Sequence, residues 1–135
     1  MKNKDKLIAA RNKIYNIFRS SAKEIKKIDA NVVKIEIRYE LNFLTGVCPT
    51  KPLTGNMVLN QNDKSFWFHS CPNSDCTGNG FYLTDEINEA IRTHKPMKGK
   101  KHCEGKEDWK YLDVSGCTCM TTLTYEIIPY FCKLD

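Results

Sequence analysis

The sequence predicts an α+β domain, an antiparallel sheet carrying a long N-terminal helix and a short second helix. Three observations lead there. Leu7, Ala10, Ile14, Ile17, Phe18, Ile25 and Ile28 recur at three- and four-residue steps, the spacing of one apolar helix face. Val33, Ile35, Ile37, Tyr39, Leu41 and Phe43 alternate with Lys34, Glu36, Arg38, Glu40 and Asn42, the two-residue period of a strand with one buried and one wet face. Leu123, Tyr125 and Ile127 repeat that period inside TTLTYEIIPYF.

The helix is expected over roughly residues 3–28, because no glycine or proline interrupts that span. The strand around Ile37 follows, and Gly46, Pro49, Pro52 and Gly55 mark a loop after it. NMVLNQ and KSFWFHS read as two shorter strands joined by a tight turn at Asn62-Asp63. GFYLT is a brief strand. Thr84 is placed to cap a helix over Asp85 to Thr93, with Asp85 and Glu86 in its first turn and Ile87, Ala90 and Ile91 on its apolar face. Pro96 and Gly99 end that helix, which leaves Lys95 to Lys101 as a basic loop. EDWKYLDV is read as a further strand. The strands near residues 37 and 125 are expected in one antiparallel sheet.

At 135 residues the chain is expected to be one domain, residues 1–29 forming the basic amphipathic helix and residues 31–135 a β-rich unit. An apolar fraction of 41% allows a core, but a modest one that a bound metal would help. No apolar run reaches membrane-spanning length, and the first residues lack the apolar stretch and small-residue cleavage site of a secretory signal. A cytoplasmic, reducing location is expected on that basis, where clustered cysteines bind metal more often than they pair. The odd count of seven cysteines also speaks against a complete disulfide framework.

The net charge of +5 is unevenly placed. Nine basic residues stand against three acidic ones up to Asp29, and twelve against thirteen in the rest. Lys95, Lys98, Lys100 and Lys101 form a small second focus.

The cysteines carry the clearest chemistry. Cys71 and Cys76 bracket Pro72-Asn73-Ser74-Asp75, a tight turn that would supply half of a tetrahedral thiolate site. The other half must come from Cys103, Cys117 and Cys119, three candidates for two places. The alternative is that these are buried apolar thiols, the usual state of a single cysteine. Five cysteines beside turn residues favour structural zinc, a knuckle or ribbon-like site with four cysteine ligands. No C-x-x-C is present to support a redox role. His69 and His102 each neighbour a candidate ligand. His69 is expected on the polar face of its strand, and His102 as a solvated loop residue. Cys48 and Cys132 are read as ordinary packed thiols.

These residues resemble a group of bacterial zinc-finger-like domains with no assigned activity. Their pattern is Cys-Pro-Asn-x-x-Cys, Gly-Phe-x-Leu, a short helix, Cys-x-Gly and Cys-x-x-x-Leu-x-Tyr. Here it reads Cys71-Pro72-Asn73 with Cys76, Gly80-Phe81 with Leu83, then Ile87 and Ala90, Cys103 with Gly105, and Cys119 with Leu123 and Tyr125. The resemblance covers residues 66–130 and implies zinc at Cys71, Cys76, Cys103 and Cys119, because the spacing to the leucine fits Cys119 and not Cys117. It implies no activity. A fainter likeness to the zinc ribbon of bacterial DNA primases runs through Cys48-Pro49 and SFWFHSC, but Lys51 stands where that ribbon has a histidine.

Three functional classes follow. The favoured one is a non-enzymatic protein-interaction or regulatory module, of the kind mobile elements encode, with a protein partner or a second copy on the apolar stripe of the N-terminal helix. The alternative is a nucleic-acid-binding zinc module using the basic helix, the Lys95 to Lys101 loop and Trp67 or Trp109 for stacking. A zinc hydrolase ranks last, since an all-cysteine site is closed and no H-E-x-x-H or H-x-E pairing occurs.

Overall fold

A computed structural model describes residues 2–45, 48–49, 51–72, 80–103 and 121–132, with the side chains of residues 2–8, 10–11, 44–45 and 48–49 outside that description. Among the described residues three helices, α1 (Lys2–Ser21), α2 (Ile25–Ile28) and α3 (Thr84–Thr93), accompany eight strands. These are β1 (Val32–Asn42), β2 (Leu44–Thr45), β3 (Cys48–Pro49), β4 (Leu53–Asn60), β5 (Phe68–His69), β6 (Phe81–Tyr82), β7 (Met97–His102) and β8 (Thr122–Phe131). The architecture is α+β. Its main sheet is antiparallel with strand order β4-β1-β8-β7, and β2-β3 and β5-β6 form two small ribbons.

The two strands with the plainest alternation form the centre of the sheet. Ile37 lies opposite Ile127, and Leu41 opposite Leu123. All four are fully buried, while Lys34, Arg38 and Thr124 are exposed on the other face. Pro129 falls beyond the end of β7, which begins opposite Ile127, so its missing N–H interrupts no ladder there. Buried Ile87, Ala90 and Ile91 bring α3 to the apolar face of the sheet, where they join Ile35, Ile37, Leu123 and Ile127 in the core.

Two glycines admit tyrosines from the central strands. A Cβ at Gly55 would collide with the Tyr39 ring across from it, and one at Gly99 with the Tyr125 ring. Each central tyrosine thereby covers an edge strand that has no side chain of its own at that point.

Several expectations are corrected. One continuous helix over residues 3–28 does not form. α1 ends at Ser21, because the backbone of Lys23 to Lys26 bonds to the segment after β4 instead of to the preceding turn. Ser65 N–H donates to Lys23 O (2.8 Å), Ile25 N–H to Asp63 O (2.9 Å) and Lys26 N–H to Gln61 O (3.1 Å). The Ser65 hydroxyl accepts from Lys23 N–H (3.2 Å). The hairpin between NMVLNQ and KSFWFHS is also absent: β4 pairs with β1, and Phe68 and His69 pair with Tyr82 and Phe81. Thr84 is the first residue of α3 rather than its cap, and its hydroxyl makes no capping bond. The basic loop is largely the edge strand β7, whose register with β8 runs from Met97 to His102. Cys132 is exposed, not packed. EDWKYLDV, with Trp109, lies outside the described residues.

Half-buried Tyr15 and Phe18 seat α1 on the β5–β6 ribbon. Tyr15 meets Phe66 and Phe68 edge-on at 5.3 Å, and Phe18 stacks on Tyr82 at 4.3 Å. Ile17 stays 58% exposed. No described helix is long and apolar enough to cross a membrane.

Candidate metal centre

Two of the cysteines singled out by spacing, Cys71 and Cys103, are described; Cys76, Cys117 and Cys119 lie outside the described residues. Cys71 stands two positions beyond β5, and Cys103 immediately follows β7. They are 32 positions apart in sequence, yet both touch Thr121. The Cys71 thiol donates to the Thr121 hydroxyl at 3.3 Å, and Cys103 N–H donates to the Thr121 carbonyl at 3.0 Å. Thr121 and Cys103 are each 1% exposed, and Cys71 is half-buried against the core.

Each partner arrives there for a local reason. Thr121 begins the inward series Thr121, Leu123, Tyr125 and Ile127, so the alternation that buries β8 also turns its first residue inward. Cys103 continues the ladder of β7 beyond the His102–Thr122 pair. Cys71 is held by the short ribbon in which His69 pairs with Phe81 and Leu83 N–H donates to Trp67 O (3.2 Å). That ribbon also fixes the two ends of the segment from Ser70 to Gly80, which contains Cys76. Gly80 makes this closure possible. Its φ is +94°, and a Cβ there would run into the His69 carbonyl.

Of the two neighbouring histidines, His69 has other contacts. The His69 Nδ1 lies 2.7 Å from Ser70 O, and its ring lies beside Tyr39 and Trp67. His102 is exposed at the end of β7. Among the described residues, no group of three or more His, Cys, Asp and Glu side chains could hold a metal. Thr121 had no part in the sequence reading. Its one signal was its position two residues after Cys119 at the head of an alternating strand.

The fold also redistributes the positive charge. Lys101 turns inward, donates to Tyr82 O at 2.8 Å and pairs with Glu86. Lys98 lies 3.3 Å from Glu126, which also faces Arg38 at 3.6 Å. These last three groups line a shallow depression of about 700 Å³ on the open face of the sheet, where Glu40 and Glu126 offset Arg38, Lys98 and Lys100. Trp67, a candidate stacking residue, is only 4% exposed. Comparison with protein-family models, with curated proteins and with solved structures gives no match.

Proposed function

We propose that this chain is a small structural-zinc module without catalytic turnover, in which Cys71, Cys76, Cys103 and Cys119 hold one zinc ion and the surface binds another protein. The observation that carries the reading is the meeting of Cys71 and Cys103 on Thr121, two residues after Cys119. Thiolate is the donor type that structural zinc selects, and a complete set of four cysteine ligands leaves no position for an activated water. The metal's contribution is folding free energy: it ties the β5–β6 ribbon to the ends of β7 and β8. Exposed apolar side chains on β4 support the interaction half of the reading.

Elemental analysis of protein purified without chelator tests the metal. One zinc per chain is expected. Cys71→Ser and Cys103→Ser should lose it, while Cys117→Ser should keep it. Metal-free protein, or zinc retained by Cys71→Ser and Cys103→Ser, would overturn the proposal.

Nucleic-acid binding stands as the second reading. It is supported by exposed Lys13, Arg19 and Lys23 along and just after α1. It requires affinity that falls steeply with salt, with a slope that shrinks by about one for each phosphate-contacting residue changed to alanine. An unchanged slope in a Lys13, Arg19 and Lys23 triple-alanine variant removes it.

A further inference from the structure

α1 is joined to the rest of the molecule differently from the other two helices. Ile25 of α2 and Ile87, Ala90 and Ile91 of α3 belong to the buried core, and no described side chain of α1 does. The described part of α1 reaches the body through two aromatic rings. Tyr15 lies against Phe66, Phe68 and Tyr82, and Phe18 stacks on Tyr82. Both rings are only half-buried, as is Ile14. Among the described residues no hydrogen bond or ion pair runs from α1 to another element, and the Ser21 hydroxyl donates back to Phe18 O inside the helix. From Lys23 onward the chain is pinned: Ser65 holds both the carbonyl and the N–H of Lys23, and Asp63 and Gln61 accept from Ile25 and Lys26. The change from lightly held to pinned falls at Ala22.

The sequence of α1 adds little stability of its own. It holds six basic residues against one acid, so it carries the whole net charge of +5. Lys2, Lys4 and Lys6 stand at its N-terminal end, where the helix dipole disfavours positive charge. A helix of 20 residues with that composition is marginal in water without a packed face. Docking therefore supplies most of what keeps α1 helical, and a segment held by few buried contacts opens below the free energy of global unfolding. We infer that α1 is a releasable arm: hinged at Ala22, it leaves and rejoins the aromatic surface of Phe66, Phe68 and Tyr82 in an equilibrium of its own, while the sheet and α3 stay folded. Release unwinds the arm and raises the exposure of those three rings, so the fold contains a switch between a covered and a bared aromatic surface. This goes beyond the proposed function and depends neither on the metal nor on a partner.

Residue-resolved amide hydrogen exchange on the full chain tests it, with zinc content measured on the same samples. In the wild type, the amides of residues 12–21 should be protected at least about tenfold less than those of β1 and β8. Phe18→Ala and Tyr15→Ala should each drive α1 toward the exchange of an unstructured chain and leave β1 and β8 within about twofold of wild type. Protection of α1 equal to that of β1 and β8 in the wild type overturns the inference, because the helix then opens only with the whole fold. So does a loss of protection shared by α1 and the sheet in both variants, or unfolding of both, since α1 is then an integral part of the structure. Unchanged α1 protection in both variants overturns it as well, because the two rings are then not what holds the arm.

Discussion

Replacing Thr121 with valine tests the metal-site reading most directly. Valine keeps the volume of a side chain that is 1% exposed, so no cavity opens, and the backbone carbonyl that accepts Cys103 N–H remains. What disappears is the hydroxyl 3.3 Å from the Cys71 sulfur. In the metal-free protein that bond is a neutral thiol–hydroxyl contact, whose loss should cost about 1 kcal/mol or less. With zinc bound, Cys71 is a thiolate and the hydroxyl donates to it, a charge-assisted bond roughly twice as strong. The perturbation therefore acts more on the loaded state than on the empty one. Groups hydrogen-bonded to metal ligands typically govern about 10–100-fold in affinity, and Thr121→Val should weaken zinc by an amount in that range. Competition against a chromophoric chelator measures it, and urea unfolding of the metal-free protein supplies the control. Thr121→Ser, which restores the hydroxyl, should recover most of the affinity. Zinc affinity in Thr121→Val within about twofold of wild type would refute the assignment of Thr121 to the site, given tenfold as the low end of such effects.

Gly80→Ala should disturb the same region from the opposite side. It forces a Cβ onto a residue at φ +94° against the His69 carbonyl, and a loss of about 1–3 kcal/mol is expected in urea unfolding, together with weaker zinc binding. Ile37→Ala, at a fully buried position in the central strand, should cost about 2–5 kcal/mol by the same assay. Asp29 introduces a pH dependence. The Asn31 N–H and then His94 hold its carboxyl below the usual carboxylate range, with partial burial opposing them. A carboxylate depressed in the folded state stabilises it above the ordinary pKa of about 4 and loses that contribution as pH falls through the lower, folded value. The gap in urea midpoint between wild type and Asp29→Asn should therefore be full at neutral pH and close below about pH 4. A gap constant from neutral to strongly acidic pH would contradict the assignment.

The sheet's centre was legible because β1 and β8 bury one face each, which prints a two-residue period on the sequence, and the apolar face of α3 was legible from Ile87, Ala90 and Ile91. The edge strand β7 was not, and its inward positions show why. Where the period calls for apolar residues β7 has Met97, Gly99 and Lys101, and only the first is one. Tyr125 from the next strand fills the space over Gly99, and an ion pair with Glu86 together with a bond to Tyr82 O accommodates Lys101. The burial signal of β7 is thus written in other elements. The same holds for the misplaced hairpin. Asn62-Asp63 is indeed a turn, but the chain leaving it is bonded to Lys23, Ile25 and Lys26, and this draws the following residues toward the N-terminal helices instead of back along β4. Thr121 belongs to the same class. Spacing placed Cys71 and Cys103 in one site by counting residues between thiols, whereas the fold connects them through a hydroxyl and a carbonyl of one buried residue, which no spacing rule between cysteines can register. Contacts made at strand ends, such as those of Cys71 and Cys103 with Thr121, follow from the register, here the pairing of β7 with β8, and not from the number of residues between cysteines.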